Sequence, residues 1–186
     1  YEDALVDLNE AMSLGKEGAR ISTDRGLVQL SLKHYREALS DFDAATNVQP
    51  GYATAWIARG QVHHEMGEYE NALKQYNEVF RSDLYSEWAH KCSAITNQKL
   101  GRHTYALEDL RIALANHSGD PELNFLRASI YADMGNMNQA IADLREAIRL
   151  APANETYRRA LTGLYTRQTR GGAGALRTLV AEVRAG

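Results

Sequence analysis

Histidine and glycine are the residues of this sequence whose spacing could indicate a metal or phosphate site. His63 and His64 are adjacent, so they project to different sides of a helix. No two of the six histidines have the i, i+4 spacing of a metal-binding helix. The glycine-rich segment GGAG at 171–174 lacks the lysine and the strand–helix context of a phosphate loop. We therefore predict neither a metal site nor a cofactor.

The single cysteine, Cys92, and the nearby His90 also fail to form a nucleophile–base pair. Residues two apart on a helix do not face each other. We expect Cys92 to be a buried structural residue, and a lone thiol forms no internal disulfide. Acidic pairs such as Glu108–Asp109 are typical of a solvated helix face. These features predict a chain that is not an enzyme.

Composition narrows the classes of partner. The net charge is −3, which gives no general attraction to nucleic acid or anionic lipid. No apolar run approaches the roughly 20 residues that span a bilayer. We therefore predict no nucleic acid and no membrane partner. The default location is the cytoplasm, and the lumen of the endoplasmic reticulum stays open as an alternative.

The elements that must position any site follow from an internal repeat. The segments MGEYENAL, LGRHTYAL and MGNMNQAI place Gly67, Gly101 and Gly135 at equal intervals along the chain. LKHYREAL keeps this frame with Lys33 in place of glycine. Three further sets share the spacing, namely Ala38, Ala72, Ala106 and Ala140; Gly26, Gly60, Ala94 and Ala128; and Phe42, Tyr76, Leu110 and Leu144.

The repeat predicts four units at 19–52, 53–86, 87–120 and 121–154. Each unit has two stretches of helical apolar periodicity separated by a short break, which indicates an antiparallel hairpin. Small residues let the two helices approach, and a bulky residue of the second helix fills the space beside them. Each hairpin leaves apolar surface that only a neighbouring hairpin can cover.

The unit that begins at Ala53 resembles a tetratricopeptide repeat. The residues that carry the resemblance are Trp56, Gly60, Gly67, Tyr69, Ala72, Tyr76 and Val79. The resemblance implies an all-α fold, a right-handed α-solenoid of stacked helix hairpins with a concave groove. It also implies a non-catalytic scaffold that binds a peptide or helix of a partner protein in that groove.

The two ends depart from the full repeat. Residues 1–18 match the second helix of a repeat, so we expect a piece of a longer array with an open apolar edge. Residues 155–186 predict two C-terminal capping helices of a degenerate fifth repeat, interrupted at GGAG. A linker followed by an unrelated tail is the alternative for this end.

The family resemblance implies which first-helix residues face the groove. We predict a partner-binding surface with apolar members that stay partly open and polar members among them. Its residues are Leu27, Ile57, Gln61, His64, Trp88, Lys91, Ile95, Phe125 and Ser129. The alternative for Trp88 and Phe125 is packing against the neighbouring hairpin. The predicted ligand carries an apolar or aromatic side chain.

Other partners are tested against the same frame. Family members that bind chaperone C-terminal carboxylates use a clamp of lysine, arginine and asparagine, and Lys91 alone matches it here in type. We therefore predict that such tails do not bind. Self-association through repeat edges, giving a homo-oligomer, is the second hypothesis. RNA binding by helical repeats is ranked last because the groove-facing charges are mixed.

Two packing predictions follow from the repeat frame. Trp56 should be a core residue between the helices of its hairpin. The arginines that share one repeat place should lie near carboxylates of their own or the next hairpin. The facing second helix carries aspartates that could pair with them. The arginines are Arg25, Arg59 and Arg127, and the facing carboxylates are Asp41 and Asp143. A solvated arginine face is the alternative.

Overall fold

The computed structural model describes residues 1–15, 18–82 and 86–168, and these residues are helical with no strand. The helices are α1 (Glu2–Ser13), α2 (Ala19–Ser31), α3 (Tyr35–Val48), α4 (Ala53–Glu65), α5 (Tyr69–Arg81), α6 (Glu87–Lys99), α7 (His103–Asn116), α8 (Pro121–Asp133), α9 (Met137–Leu150) and α10 (155–168). The predicted all-α fold is confirmed. The predicted helix after GGAG lies outside the described residues.

The chain forms two compact units, Tyr1–Asp109 and Leu110–Gly186, which divide within α7. In the first unit α2 packs against α3 and α4 against α5, as hairpins. The first helices α2, α4 and α6 also contact one another in order, so they form a layer of their own. In the second unit α8 and α9 form a hairpin.

The break inside each hairpin is a left-handed turn. Gly67, Gly101 and Gly135 have φ of 78°, 70° and 77°, and Lys33 has φ of 62° at the same repeat place. At the end of α2, the backbone N–H of His34 donates to the carbonyl of Gln29, and the N–H of Lys33 donates to the carbonyl of Leu30. These two hydrogen bonds form a Schellman motif. Glycine adopts this conformation without steric cost, which explains why it recurs at this place of successive repeats.

Small residues in the first helices make room for aromatic rings. A Cβ at Gly60 would lie 2.3 Å from Cε1 of Tyr76, and one at Gly26 would lie 2.6 Å from Cε1 of Phe42. Both rings are buried. The predicted pairing of a small residue with a bulky one is therefore confirmed in these two hairpins.

Trp56 packs against the core of the second hairpin but stays half-buried. Its indole Nε1 donates a hydrogen bond of 2.8 Å to the carbonyl of Pro50, and Arg59 lies 5.6 Å from the ring centroid. The prediction that Trp56 is a core residue is thus confirmed only in part. The side chain lies in the first turn of its helix, where the indole N–H is bound to the segment before α4.

Replacing Trp56 with alanine should lower the free energy of unfolding by about 2–3 kcal/mol. The loss typical of a fully buried aromatic is larger, about 3–5 kcal/mol, and we expect less here because the ring is half-buried. Urea denaturation followed by circular dichroism measures the change. Trp88→Ala is the matched control, since Trp88 is exposed, and should cost less than about 1 kcal/mol. Equal losses in the two variants would contradict the assignment.

The predicted arginine–carboxylate pairs are confirmed. Arg25 donates from Nε and Nη2 to the two oxygens of Asp41 at 2.8 and 2.5 Å. Arg127 makes the same two-bond contact with Asp143 at 2.8 and 2.7 Å. The hydrogen bond with Asp41 raises the pKa of Arg25, against the opposing effect of burial. Each pair joins the two helices of one hairpin.

Arg59 pairs differently because Gln75 stands in its own second helix where the other two hairpins have aspartate. Its guanidinium instead contacts Asp43 of the preceding hairpin at 2.9 Å. Arg25 and Arg127 therefore link the two helices of their own hairpins, whereas Arg59 links two successive hairpins.

Candidate partner-binding site

A cavity of about 370 Å³ opens between the first three hairpins of unit Tyr1–Asp109. We call it the first-helix cavity. Three predicted residues, Gln61, His64 and Ile95, line it together. The other lining residues are Leu30, Ser31, Lys33, Tyr35, Glu65, Tyr76 and Cys92. The lining thus combines apolar and aromatic side chains with a few polar groups, as ligand pockets do.

His64 is held in the cavity wall by a polar contact with the next hairpin. Its Nδ1 lies 2.8 Å from Oγ1 of Thr96, whose hydroxyl donates to the carbonyl of Cys92 at 2.8 Å. Burial lowers the pKa of His64, with a further lowering by Lys99 and an opposing effect of Glu65. Burial therefore disfavours the charged imidazolium form of His64.

Cys92 is a buried structural thiol, as predicted. Burial raises its pKa to about 11, and the amide of Gln61 approaches the sulfur at 3.7 Å. A thiol of this kind stays protonated at neutral pH and is a poor nucleophile. His90 contacts Asp109 at 3.1 Å.

One predicted groove residue is misplaced. Ile57 is only 2% exposed, because it packs in the core against Ala89 and Cys92 of α6. The expectation that it stays partly open is wrong. Leu27 is half-buried against the core of the first two hairpins.

Trp88 is 39% exposed, whereas Lys91 is half-buried. Neither is among the residues that line the first-helix cavity. Both belong to α6, which also supplies Cys92 and Ile95 to the cavity wall. Trp88 is therefore an exposed aromatic side chain on a helix that builds the site.

The remaining predicted residues, Phe125 and Ser129, line a separate cavity of about 290 Å³ in unit Leu110–Gly186. The ring of Phe125 lies 4.9 Å from that of Tyr157 in α10. The alternative of packing against the neighbouring helix therefore holds for Phe125. Ser129 donates to the carbonyl of Leu126 at 2.8 Å.

The predicted surface did not include the other seven lining residues of the first-helix cavity, among them Tyr35, Tyr76 and Cys92. Tyr35 and Tyr76 belong to second helices, whereas the groove was predicted on first helices. Within residues 1–15, 18–82 and 86–168, no group of three or more histidine, cysteine or acidic residues could hold a metal ion. No described helix has the length and apolar character of a membrane span.

Two family models, both described as tetratricopeptide repeat, match residues 23–84 and 121–154, about half of the chain together. The chain belongs to the tetratricopeptide repeat family. Tetratricopeptide repeats serve as scaffolds for protein–protein interaction and are generally non-catalytic. The first matched segment holds most of α2 and all of α3, α4 and α5, which supply most of the lining of the first-helix cavity, whereas α6, with Cys92 and Ile95, lies beyond it.

Relatives contain this tetratricopeptide array as part of a longer protein. The Hsp70-Hsp90 organizing protein of Triticum aestivum is 26% identical over 81% of this chain, which covers 26% of that protein. Human peptidyl-prolyl cis-trans isomerase FKBP4 is 25% identical over 77% of this chain, which covers 35% of that protein. The chain thus spans about a quarter to a third of the length of these two relatives.

Solved tetratricopeptide structures share the fold. TTC0263, a thermophilic tetratricopeptide protein of Thermus thermophilus, superposes with a TM-score of 0.76 at 20% identity, covering 89% of this chain and 91% of that one. YrrB, described as a tetratricopeptide protein with an unusual peptide-binding site, gives 0.68 at 19% identity, covering 87% of this chain and 84% of that one. At these identities the similarity shows the fold alone.

Proposed function

We propose that this chain binds a peptide or helical segment of a partner protein on the first helices of unit Tyr1–Asp109. The observation that carries the proposal is the first-helix cavity, which lies where α2, α4 and α6 form a continuous layer. Leu30, Tyr35 and Ile95 give it an apolar surface that can take one large side chain of the ligand. Such an anchor contributes a large share of binding energy when it fills a desolvated pocket.

Polar residues of the cavity would orient the bound segment. Lys33 and Glu65 supply opposite charges to the lining, and Gln61 and His64 supply hydrogen-bonding groups. Because burial lowers the pKa of His64, the side chain is better suited to hydrogen bonding than to binding as a cation. The mixed charges favour a ligand with an apolar anchor over one recognised by net charge.

Chaperone tails with a terminal carboxylate do not fit this proposal, although one relative is named for Hsp70 and Hsp90. When the clamp is aligned to begin at the first full repeat, 19–52, its places include Thr23 and Ala58, both buried. Thr23 donates its hydroxyl to the carbonyl of Ala19 at 2.6 Å. Neither side chain is a cation that could bind a carboxylate.

The experiment is a selection of random phage-displayed peptides on the purified chain, followed by fluorescence anisotropy with the enriched peptides. Ile95→Lys, which puts a charge into the cavity, should weaken binding at least about tenfold, or about 1.4 kcal/mol. The control, Val48→Lys, changes an exposed residue at the end of α3 and should bind as the native chain does. Thermal melts must show that both variants are folded.

Two results separate the possibilities. Loss of binding in Trp88→Ser together with unchanged binding in Ile95→Lys would place the ligand on exposed α6 and not in the cavity. Unchanged binding in both would contradict the proposed site. Self-association would then be the leading candidate, favoured by Tyr1, Val6 and Leu14, which are exposed in and beside α1. Light scattering across a concentration series would test it.

A further inference from the structure

The third repeat replaces the arginine of the hairpin ion pair with serine. Arg25 and Arg127 each bind an aspartate in the second helix of their own hairpin. In the same frame the third repeat has Ser93 and Asp109, which occupy the places of Arg59 and Gln75 in the second. The carboxylate is therefore present, but Ser93, the side chain at the place of the arginine, carries no charge.

Asp109 keeps the position of a hairpin carboxylate and is mostly buried, with 14% of its side chain exposed. Ser93 donates to Oδ2 at 2.7 Å and Asn97 to the same oxygen at 3.2 Å. The imidazole of His90 lies 3.1 Å from Oδ1. Ser93 and Asn97 satisfy Oδ2 with neutral donors, so their contacts add no positive charge of the kind Arg25 gives Asp41.

A cavity of about 590 Å³ opens beside Asp109. We call it the Asp109 cavity, and its volume lies within the range of about 300–1,000 Å³ that is typical of ligand pockets. It is lined from α5, α6 and α7 by Leu73, Asn77, Phe80, Ser93, Asn97, Tyr105, Glu108 and Asp109, with Arg102 just before α7. The two-bond contact of Arg102 with Glu70, at 3.0 and 2.6 Å, engages its guanidinium with another carboxylate.

We propose that the Asp109 cavity binds the guanidinium group of an arginine side chain from a partner protein. The chain itself shows the fit, because guanidinium groups occupy this place against Asp41 and Asp143 in two other hairpins. Ser93 is too short to do the same. The cavity also offers the apolar side chains of Leu73 and Phe80 for the arginine stem.

Two features of the cavity favour arginine over lysine. Oδ2 of Asp109 already accepts from Ser93 and Asn97, so a ligand cation would bind at Oδ1 beside His90. The planar fork of a guanidinium can place one donor on Oδ1 and direct others to neighbouring polar groups, a geometry that an ammonium group does not have. The ring of Tyr105, exposed at the wall of the cavity, can stack on a guanidinium plane. This site goes beyond the proposed function, since the first-helix cavity shares no lining residue with it.

The test measures binding of N-acetyl-arginine methylamide by NMR titration of the isotope-labelled chain, with the citrulline analogue as the neutral isostere. We expect millimolar binding of the arginine compound and at least about tenfold weaker binding of the citrulline compound, which corresponds to about 1.4 kcal/mol. The lysine analogue should bind with an intermediate affinity. Shifts should concentrate on Ser93, Asn97 and Tyr105. Equal binding of the arginine and citrulline compounds would overturn the proposal. So would binding of free arginine alone, which indicates a small-molecule site.

The decisive variant is Ser93→Arg, which supplies the guanidinium from within the chain. It should abolish binding of the arginine compound and raise the melting temperature above that of Ser93→Met, which has similar bulk without charge. Asp109→Asn should also abolish binding, and the Ser93 variants keep the test valid if Asp109→Asn fails to fold. The assignment would be overturned if the folded Ser93→Arg variant bound the arginine compound as tightly as the native chain does. Equal melting temperatures of Ser93→Arg and Ser93→Met would also overturn it. Peptide binding at the first-helix cavity should persist in Ser93→Arg.

Discussion

Replacing Gly60 with alanine should destabilise the first unit by about 2–3 kcal/mol, although alanine is favoured over glycine in a helix by about 1 kcal/mol. The reason is the distance of 2.3 Å between the added Cβ and Cε1 of Tyr76, with Cδ1 and Cζ at 2.8 Å. The Tyr76 ring is buried and cannot move without displacing the core that includes Val79 and Ala89. Chemical denaturation monitored by circular dichroism measures the loss.

Two controls distinguish this clash from a general intolerance of alanine. Gly163 lies in α10 with nothing within 4 Å of the added Cβ, so Gly163→Ala should be neutral or stabilising by up to about 1 kcal/mol. The double variant Gly60→Ala/Tyr76→Leu should recover most of the loss. The fourth repeat already combines Ala128 with Leu144 in one core cluster. A Gly60→Ala variant as stable as the native chain would show that α4 and α5 can separate at little cost.

Replacing Arg25 with methionine should cost about 2–3 kcal/mol of unfolding free energy. Asp41 is only 3% exposed, so the substitution leaves a buried carboxylate without its two guanidinium hydrogen bonds. Breaking a buried pair from one side typically costs about 3–5 kcal/mol. We expect a smaller loss of stability here because the Arg25 side chain is partly exposed to solvent, and its Nη1 also donates to Asn9.

The matched control is Arg102→Met, which removes an arginine whose pair with Glu70 is exposed. That change should cost less than about 1 kcal/mol. The double variant Arg25→Met/Asp41→Leu should regain much of the stability, since apolar replacement of both partners removes the unpaired charge. Similar losses for Arg25→Met and Arg102→Met, measured by urea denaturation, would mean that burial of Asp41 does not decide the effect.

The sequence determined the helical repeat because its signals are local. Gly67, Gly101 and Gly135 recur where a helix must end in a left-handed turn, and glycine is the residue that this backbone favours. Gly60 predicts a large side chain opposite it, which Tyr76 supplies. Arg25 and Asp41 could be paired from the frame alone, because hairpin geometry fixes the distance between their two places.

The tertiary structure alone decided which first-helix residues remain open. Ile57 is buried in one core cluster with Ala89 and Cys92, which belong to the next repeat. The sequence of its own helix, α4, does not indicate this burial. Tyr35 and Tyr76 reach the first-helix cavity from second helices, although the groove was predicted on first helices and the repeat place of Tyr76 predicted packing. The surroundings of Asp109 likewise depend on three side chains converging from α6, together with the cavity beside it. Periodicity specifies the face of a helix, whereas exposure on that face depends on the side chains that the neighbouring hairpins bring to it.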